Sequence, residues 1–131
     1  MLCTLTPAIV KLFGRYPPDE LFDDYFNRIE DIIWNLTAQI IKTGVDVIID
    51  NGFWSKEQRA QAMFRAKEIT NDVIFHSVEC DMETAKARVL ARTDMNENEL
   101  GIDENAFELF RPRFQPICES EGYKIIVHKT G

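Results

Sequence analysis

The stretch GVDVIIDNGFWSKEQR, residues 44–59, changes character halfway along, and its reading decides the fold. Val45, Val47, Ile48 and Ile49 make residues 45–50 too apolar for a strand with one wet face, the pattern of a strand inside a parallel sheet. The run ends on Asp50, a carboxylate at the carboxyl end of that strand, where open α/β sheets keep their ligands. Ser55 and Gln58 then fit the S-x-x-E/Q capping box. A helix therefore begins near Lys56, with Ala60, Met63, Phe64 and Lys67 on its inward side and a stop near Thr70 and Asn71. Residues 72–80 follow as a second strand. Strand, helix and strand span about 35 residues, the size of one right-handed βαβ crossover.

Outward from this segment the pattern remains α/β. Residues 1–5 read as a very short strand, and Thr6 followed by Pro7 looks like an N-cap that opens a helix running toward Gly14. Between Pro18 and Thr43 the residues Leu21, Phe22, Tyr25, Phe26, Ile29, Ile32, Ile33, Leu36, Ile40 and Ile41 recur at spacings of three and four. That is the stripe of a long amphipathic helix; its acids gather toward the N-terminal half, where the helix dipole favours them, and Gly44 supplies the stop. Asp81 and Thr84 open another helix. The segment from Met95 to Phe114 is polar at first, expected to be a mobile loop, and leads into a short helix carrying Phe107, Leu109 and Phe110. Residues 122–129 finish the chain as a last strand. The predicted architecture is a single α/β domain over residues 1–131, three-layered, with a mainly parallel sheet and flanking helices.

Bulk properties exclude several functions. The 131 residues carry a formal net charge of -7, so the field of the whole protein repels nucleic-acid phosphates. No apolar run approaches the roughly 18 residues that span a bilayer, and the N-terminal residues lack a charged segment before their apolar part, so a cytoplasmic protein is expected. The three cysteines, Cys3, Cys80 and Cys118, are odd in number and far apart, and read as reduced thiols. His76 and His128 each fall inside an apolar strand-like run without partner ligands at metal-binding spacing, and read as packed or sheet-edge histidines.

Three groups could carry chemistry. Asp50 either holds a water on Mg²⁺ or orients a hydroxyl at the mouth of the sheet, or it merely starts a turn with Asn51 and Gly52. Phe53 and Trp54 either line the rim of a cleft for a planar ligand or staple the start of the following helix. Arg88 and Arg92, four residues apart on one helix face, either clamp a polyphosphate beside a closing segment or form a solvated face paired with acids. No G-x-x-x-x-G-K-[ST], no G-x-S-x-G and no Cys/His pair at nucleophile spacing occurs, so these residues do not by themselves complete an active site.

The order of LTPAIVKLFG, a long acidic helix, GVDVIIDNGFWSKEQR, a strand, RVLAR, a lid-like loop and FELFRPRF resembles the AAA_33-type P-loop ATP-binding proteins, kinase-like NTPases related to polynucleotide kinase, chloramphenicol phosphotransferase and the zeta toxins. The resemblance implies ATP and Mg²⁺ as cofactors. It sets Asp50 on the strand near Mg²⁺, through water, as the catalytic carboxylate. Arg88 and Arg92 become the nucleotide-binding arginines, residues 93–106 the lid, and Asn51, Phe53, Trp54 and Arg59 the substrate side. Catalysis in such kinases is chiefly positioning and charge neutralisation of the transferred phosphoryl group.

Two departures follow from the same resemblance. The family's first central strand and phosphate-binding loop do not precede residues 1–7, and Ala8 stands where an acid is frequent. The expectation is thus an N-terminally truncated or degenerate kinase-like domain, or a chain starting at an internal methionine of a longer enzyme. Alone it is expected to be inactive and to bind no nucleotide well. With the central strand missing, the strand ending at Asp50 and the strand at 72–80 are expected to pair directly, or the vacant position to favour a homo-oligomer. The alternative function is a non-catalytic remnant that acts as an oligomerising or regulatory partner.

Overall fold

The computed structural model describes residues 1–95, 97 and 99–131. It forms two compact units, Met1–Gly52 with Arg92–Gly101, and Phe53–Ala91 with Ile102–Gly131.

In the first unit β1 (Leu2–Thr4) runs straight into α1 (Leu5–Phe13), and α2 (Asp19–Ile41) brings the chain back to β2 (Ile48–Asp50). The two strands pair in parallel, Leu2 opposite Ile48, Cys3 opposite Ile49 and Thr4 opposite Asp50. Strand alternation sends Cys3 and Ile49 to one face, where they pack on a core of Leu5, Ile9, Ile29 and Ile33. Leu2 and Ile48 occupy the other face and stay exposed. The stripe of α2 buries Ile29, Ile33, Trp34 and Thr37. Phe13 and Tyr25 stack with ring centroids 3.8 Å apart, fastening α1 to α2. Gly44, at a φ of 85°, lets its N–H turn back onto the Ile41 carbonyl (3.0 Å) and end the helix, a conformation that suits glycine.

The segment Arg92–Gly101 belongs to this unit, and Leu100 packs on its core. Arg15 donates to the carbonyls of Glu99 (3.1 Å) and Thr93, and its own carbonyl accepts from the Gly101 N–H (3.0 Å). Gly101 lies so close to the Tyr16 ring that a Cβ there has no room. Within the predicted lid at 93–106, Thr93, Glu99 and Gly101 thus bond to Arg15; Asn96 and Asn98 lie outside the described residues.

The second unit contains α3 (Lys56–Ile69), β3 (Phe75–Glu79), most of α4 (Met82–Met95), α5 (Glu104–Phe110) and β4 (Ile125–Lys129). β3 and β4 pair in parallel from Phe75 opposite Ile125 to Glu79 opposite Lys129. Each helix start is capped as its residues predict. Ser55 and Gln58 complete the capping box of α3, and Asp81 accepts from the Thr84 N–H (2.8 Å) at α4. Asp103 accepts from the Ala106 N–H (2.8 Å) at α5. The Thr84 hydroxyl and N–H on the Asp81 carboxylate hold its pKa below the usual value. Lys86 reaches from α4 to Glu104 (2.6 Å) and Glu108 (3.1 Å) on α5.

Four features differ from the sequence pattern. The described residues hold two two-stranded sheets, β1–β2 and β3–β4, in place of one, and β2 does not pair with β3. Apolar strands adjacent in sequence are not obliged to be neighbours; each here takes its parallel partner across a helical crossover of its own. The strand at 45–50 shortens to Ile48–Asp50 and is not enclosed, since Ile48 is exposed. The first helix starts at Leu5 behind Thr4, so Pro7 sits inside its first turn, where its missing N–H has no intrahelical acceptor to lose. Finally, α3 buries Arg59, Ala62 and Ala66, while Ala60, Phe64 and Lys67 face outward and Phe64 is 69% exposed. The helix is rotated because Arg59 has buried partners and alanines permit close approach.

Candidate functional site

The residues singled out by sequence fall into both units, and the local structure around each group can be built from its partners. In the first unit the parallel register brings the ends of β1 and β2 side by side, with Thr4 directly across from Asp50. Paired residues of a parallel ladder project to one face, so a hydroxyl and a carboxylate share the carboxyl edge of this sheet. Asp50 is exposed. Asn51 follows, its side-chain oxygen accepting from the adjacent Gly52 N–H (2.6 Å) while its amide donates to Glu30 on α2 (3.4 Å). The end of β2 is thereby fastened to the long helix.

In the second unit Arg59 organises the loop that carries Phe53 and Trp54. Its guanidinium is 3% exposed and grips Glu121 in a fork, Nε to Oε1 at 2.8 Å and Nη2 to Oε2 at 3.0 Å. Nη1 donates to the carbonyls of Phe53 (2.9 Å) and Trp54 (3.2 Å). Glu121 also accepts from the Cys118 N–H (3.0 Å). The Arg59 donors, before any other influence, hold the Glu121 carboxyl below its ordinary pKa, against the opposing effect of desolvation. Gln115 completes the frame: its N–H meets the Trp54 carbonyl (2.7 Å) and its side-chain oxygen accepts from the Lys56 N–H (2.8 Å).

Phe53 has a φ of 41°. A bulky residue in the left-handed region is strained by about 1–3 kcal/mol, and such strain persists only where the surroundings dictate it. Here the Arg59 hydrogen bonds on the carbonyls of Phe53 and of the next residue, Trp54, hold the chain on its C-terminal side. The Phe53 ring meets Phe75 edge-on (6.0 Å, 77°), and Phe75 in turn packs against Tyr123 (5.2 Å). Trp54 packs against Phe110 (5.8 Å) and keeps 37% of its surface exposed.

The other two arginines sit on α4. Arg88 is exposed and donates to the Thr130 hydroxyl (3.0 Å), just beyond β4; Arg92 is also exposed. The structure thus draws Phe53, Trp54 and Arg59 into one arrangement and sets Asp50 beside Thr4 and Asn51 beside Glu30. Sequence reasoning did not find Glu121 or Glu30. Glu121 stands 62 residues from Arg59, and no local pattern links the two; the signal available was only an acid between short loops.

Asp50 and Thr4 offer hard oxygen atoms on an exposed edge, a set that suits Mg²⁺ held through water. Among the described residues no group of three or more His, Cys, Asp or Glu converges on a metal position. For nucleotide phosphates the fit is poor: the glycines with positive φ, at positions 14, 44, 122 and 131, are scattered and form no glycine-rich loop among the described residues. No helix of the described residues is long and apolar enough to cross a membrane.

The sequence profile described as AAA domain matches residues 8–117, a span that includes all seven site residues predicted from sequence. Domains of this P-loop type generally bind ATP and Mg²⁺. No curated protein and no solved structure matches the chain.

Proposed function

We infer the function from one premise: the chain belongs to the AAA domain family, whose P-loop-type domains bind nucleotides. In our reading it is the kinase-like part of a nucleotide-binding domain, whose parent enzyme transfers a phosphoryl group from ATP to an acceptor. The observation that carries this reading is the family match over residues 8–117, combined with a carboxylate, Asp50, at the exposed carboxyl edge of a parallel strand pair. Asp50 is the Mg²⁺-side carboxylate and acts through water, with the Thr4 hydroxyl beside it. Arg88 and Arg92 are the nucleotide-side cations. Asn51, Phe53 and Trp54 form the acceptor side, and Arg59 serves it by fixing the backbone from which the two aromatic rings project. Mg²⁺, when bound, would neutralise charge on phosphate oxygens; the chain's own contribution is to fix the end of β2 and the backbone that carries Phe53 and Trp54.

The described residues do not cradle phosphates, so this chain alone is a poor nucleotide binder. A Mg²⁺ titration followed by NMR is expected to shift Thr4 and Asp50 signals in the native chain and not in Asp50→Asn. A thermal melt with Mg-ATP is expected to show no rise in midpoint beyond that of Mg²⁺; a concentration-dependent rise would overturn the poor-binder assignment. One observation favours a second reading, an oligomerising or regulatory remnant: among the described residues β2 pairs only with β1, and β3 only with β4, so each strand has an edge that no other described strand pairs. Light scattering that finds a concentration-independent monomer removes that alternative.

A further inference from the structure

His76 on β3 and His128 on β4 carry chemistry that the nucleotide reading leaves unused. The register sets His76 opposite Ile126 and Val78 opposite His128, so the two imidazoles are diagonal neighbours on one face of the strand pair. Both are exposed. His76 Nδ1 and His128 Nε2 stand 3.0 Å apart. The ring centroids are 5.2 Å apart and the planes differ by 14°. The excess of the centroid separation over the nitrogen separation equals the two ring radii, so the facing nitrogens lie near the line that joins the rings. The imidazoles meet edge to edge. One of the facing nitrogens carries the proton that the other accepts.

We propose that this pair is a two-imidazole chelate for a divalent cation of the Ni²⁺ and Cu²⁺ class. Two nitrogens each about 2.0–2.1 Å from an ion stand about 2.9–3.0 Å apart when they subtend a right angle at it, and about 3.3–3.4 Å apart at a tetrahedral angle. The 3.0 Å between His76 and His128 is the length of their present hydrogen bond, and a right-angle bite needs nearly the same separation, so the rings have to turn about their facing nitrogens but not to move apart. Imidazole is a ligand suited to these ions, and the affinity of a given nitrogen site rises from Mn²⁺ to Cu²⁺. On binding, the proton held between the rings moves to the outer nitrogen of the same ring. Both imidazoles remain neutral, both facing lone pairs become available, and the exposed rings pivot until those lone pairs converge. No third His, Cys, Asp or Glu joins them among the described residues, so water fills the other positions. The bound ion bridges β3 and β4 across 52 residues of sequence, and favours the folded second unit by mass action.

The test uses the full chain and NiCl₂ in a non-chelating buffer, followed by calorimetry and by the imidazole ring protons in NMR. One saturable site is expected, with paramagnetic broadening confined at first to His76, His128 and their strand neighbours. His128→Ala and His76→Gln, the latter retaining a hydrogen-bonding amide, should each weaken binding about tenfold or more through loss of the chelate. Cys80→Ser, which removes the exposed thiol next to β3, should leave affinity unchanged. The melting midpoint should rise with Ni²⁺ only in chains that keep both histidines, and MnCl₂ should bind more weakly. Absence of saturation below millimolar Ni²⁺, survival of binding in both histidine variants, or its loss in Cys80→Ser overturns the proposal.

Discussion

The two units solve the same problem with different chemistry. Each is a pair of parallel strands joined by a helical crossover, yet the first closes over Leu5, Ile9, Ile29 and Ile33, while the buried residues of the second are Arg59, Ala62 and Ala66. An apolar core is non-directional and tolerates rearrangement so long as volume is kept. The Arg59–Glu121 fork is directional: it fixes two carbonyls of one loop and one carboxylate of another, and has no substitute if either partner is lost. The first unit owes its stability to area removed from water, and the second owes its loop geometry to a satisfied charge. That division leaves Phe53, the residue with the strained φ, in the unit whose loop is held by directional bonds.

The sharpest attack on the first unit is Ile9→Ala, since Ile9 is 1% exposed at the centre of the core. A loss of about 3–4 kcal/mol is expected from urea denaturation, with amide exchange accelerating in α1 and α2 before α3. Equal acceleration in all three helices would show that the units are one cooperative body.

The corresponding attack on the second unit is Arg59→Ala, which strands Glu121 and releases the Phe53 and Trp54 carbonyls. A cost of about 3 kcal/mol is expected, together with faster exchange of the Trp54 and Gln115 amides. This variant also has a signature in acid. Because Arg59 lowers the Glu121 pKa in the folded state, the pair contributes stability above the ordinary glutamate value of about 4.3, and that contribution is lost as pH falls through the lower folded value. Urea midpoints measured at pH 5.5 and at about pH 3 should differ less in Arg59→Ala than in the native chain. An unchanged difference would mean that other carboxylates, Asp81 among them, govern acid unfolding.

The smallest expected effect has the opposite sign. Thr37 is buried on α2, and its hydroxyl has no hydrogen-bond partner among the described residues. Thr37→Val keeps the shape and removes the unsatisfied group, so a gain of about 1 kcal/mol is expected in the same denaturation assay. A loss would reveal a partner for that hydroxyl.

Much of the local structure was legible before any coordinates. The stripe from Leu21 to Ile41, the Ser55 capping box, the Asp81 cap and the stop at Gly44 each depend on residues within one or two turns, and such short-range terms act the same way in most contexts. The inward face of α3 was not legible. Apolar periodicity points to Phe64, whereas the helix buries Arg59 because Glu121 and two carbonyls satisfy it. Strand pairing was likewise hidden, since an apolar run specifies burial but not which neighbour provides it.

For the candidate site the division is the same. The sequence by itself determined that a carboxylate ends β2, that aromatics and a capped helix follow, and that two arginines lie one turn apart on α4, because these are properties of consecutive residues. Only the tertiary structure decided that Thr4 stands beside Asp50, that Arg59 spends its donors on Glu121 and the loop, and that His76 meets His128. Thr4 with Asp50, Arg59 with Glu121 and His76 with His128 join residues 46 to 62 positions apart. Contacts at such separation are chosen by the closure of the whole chain around its buried groups, and no local pattern of residues encodes them.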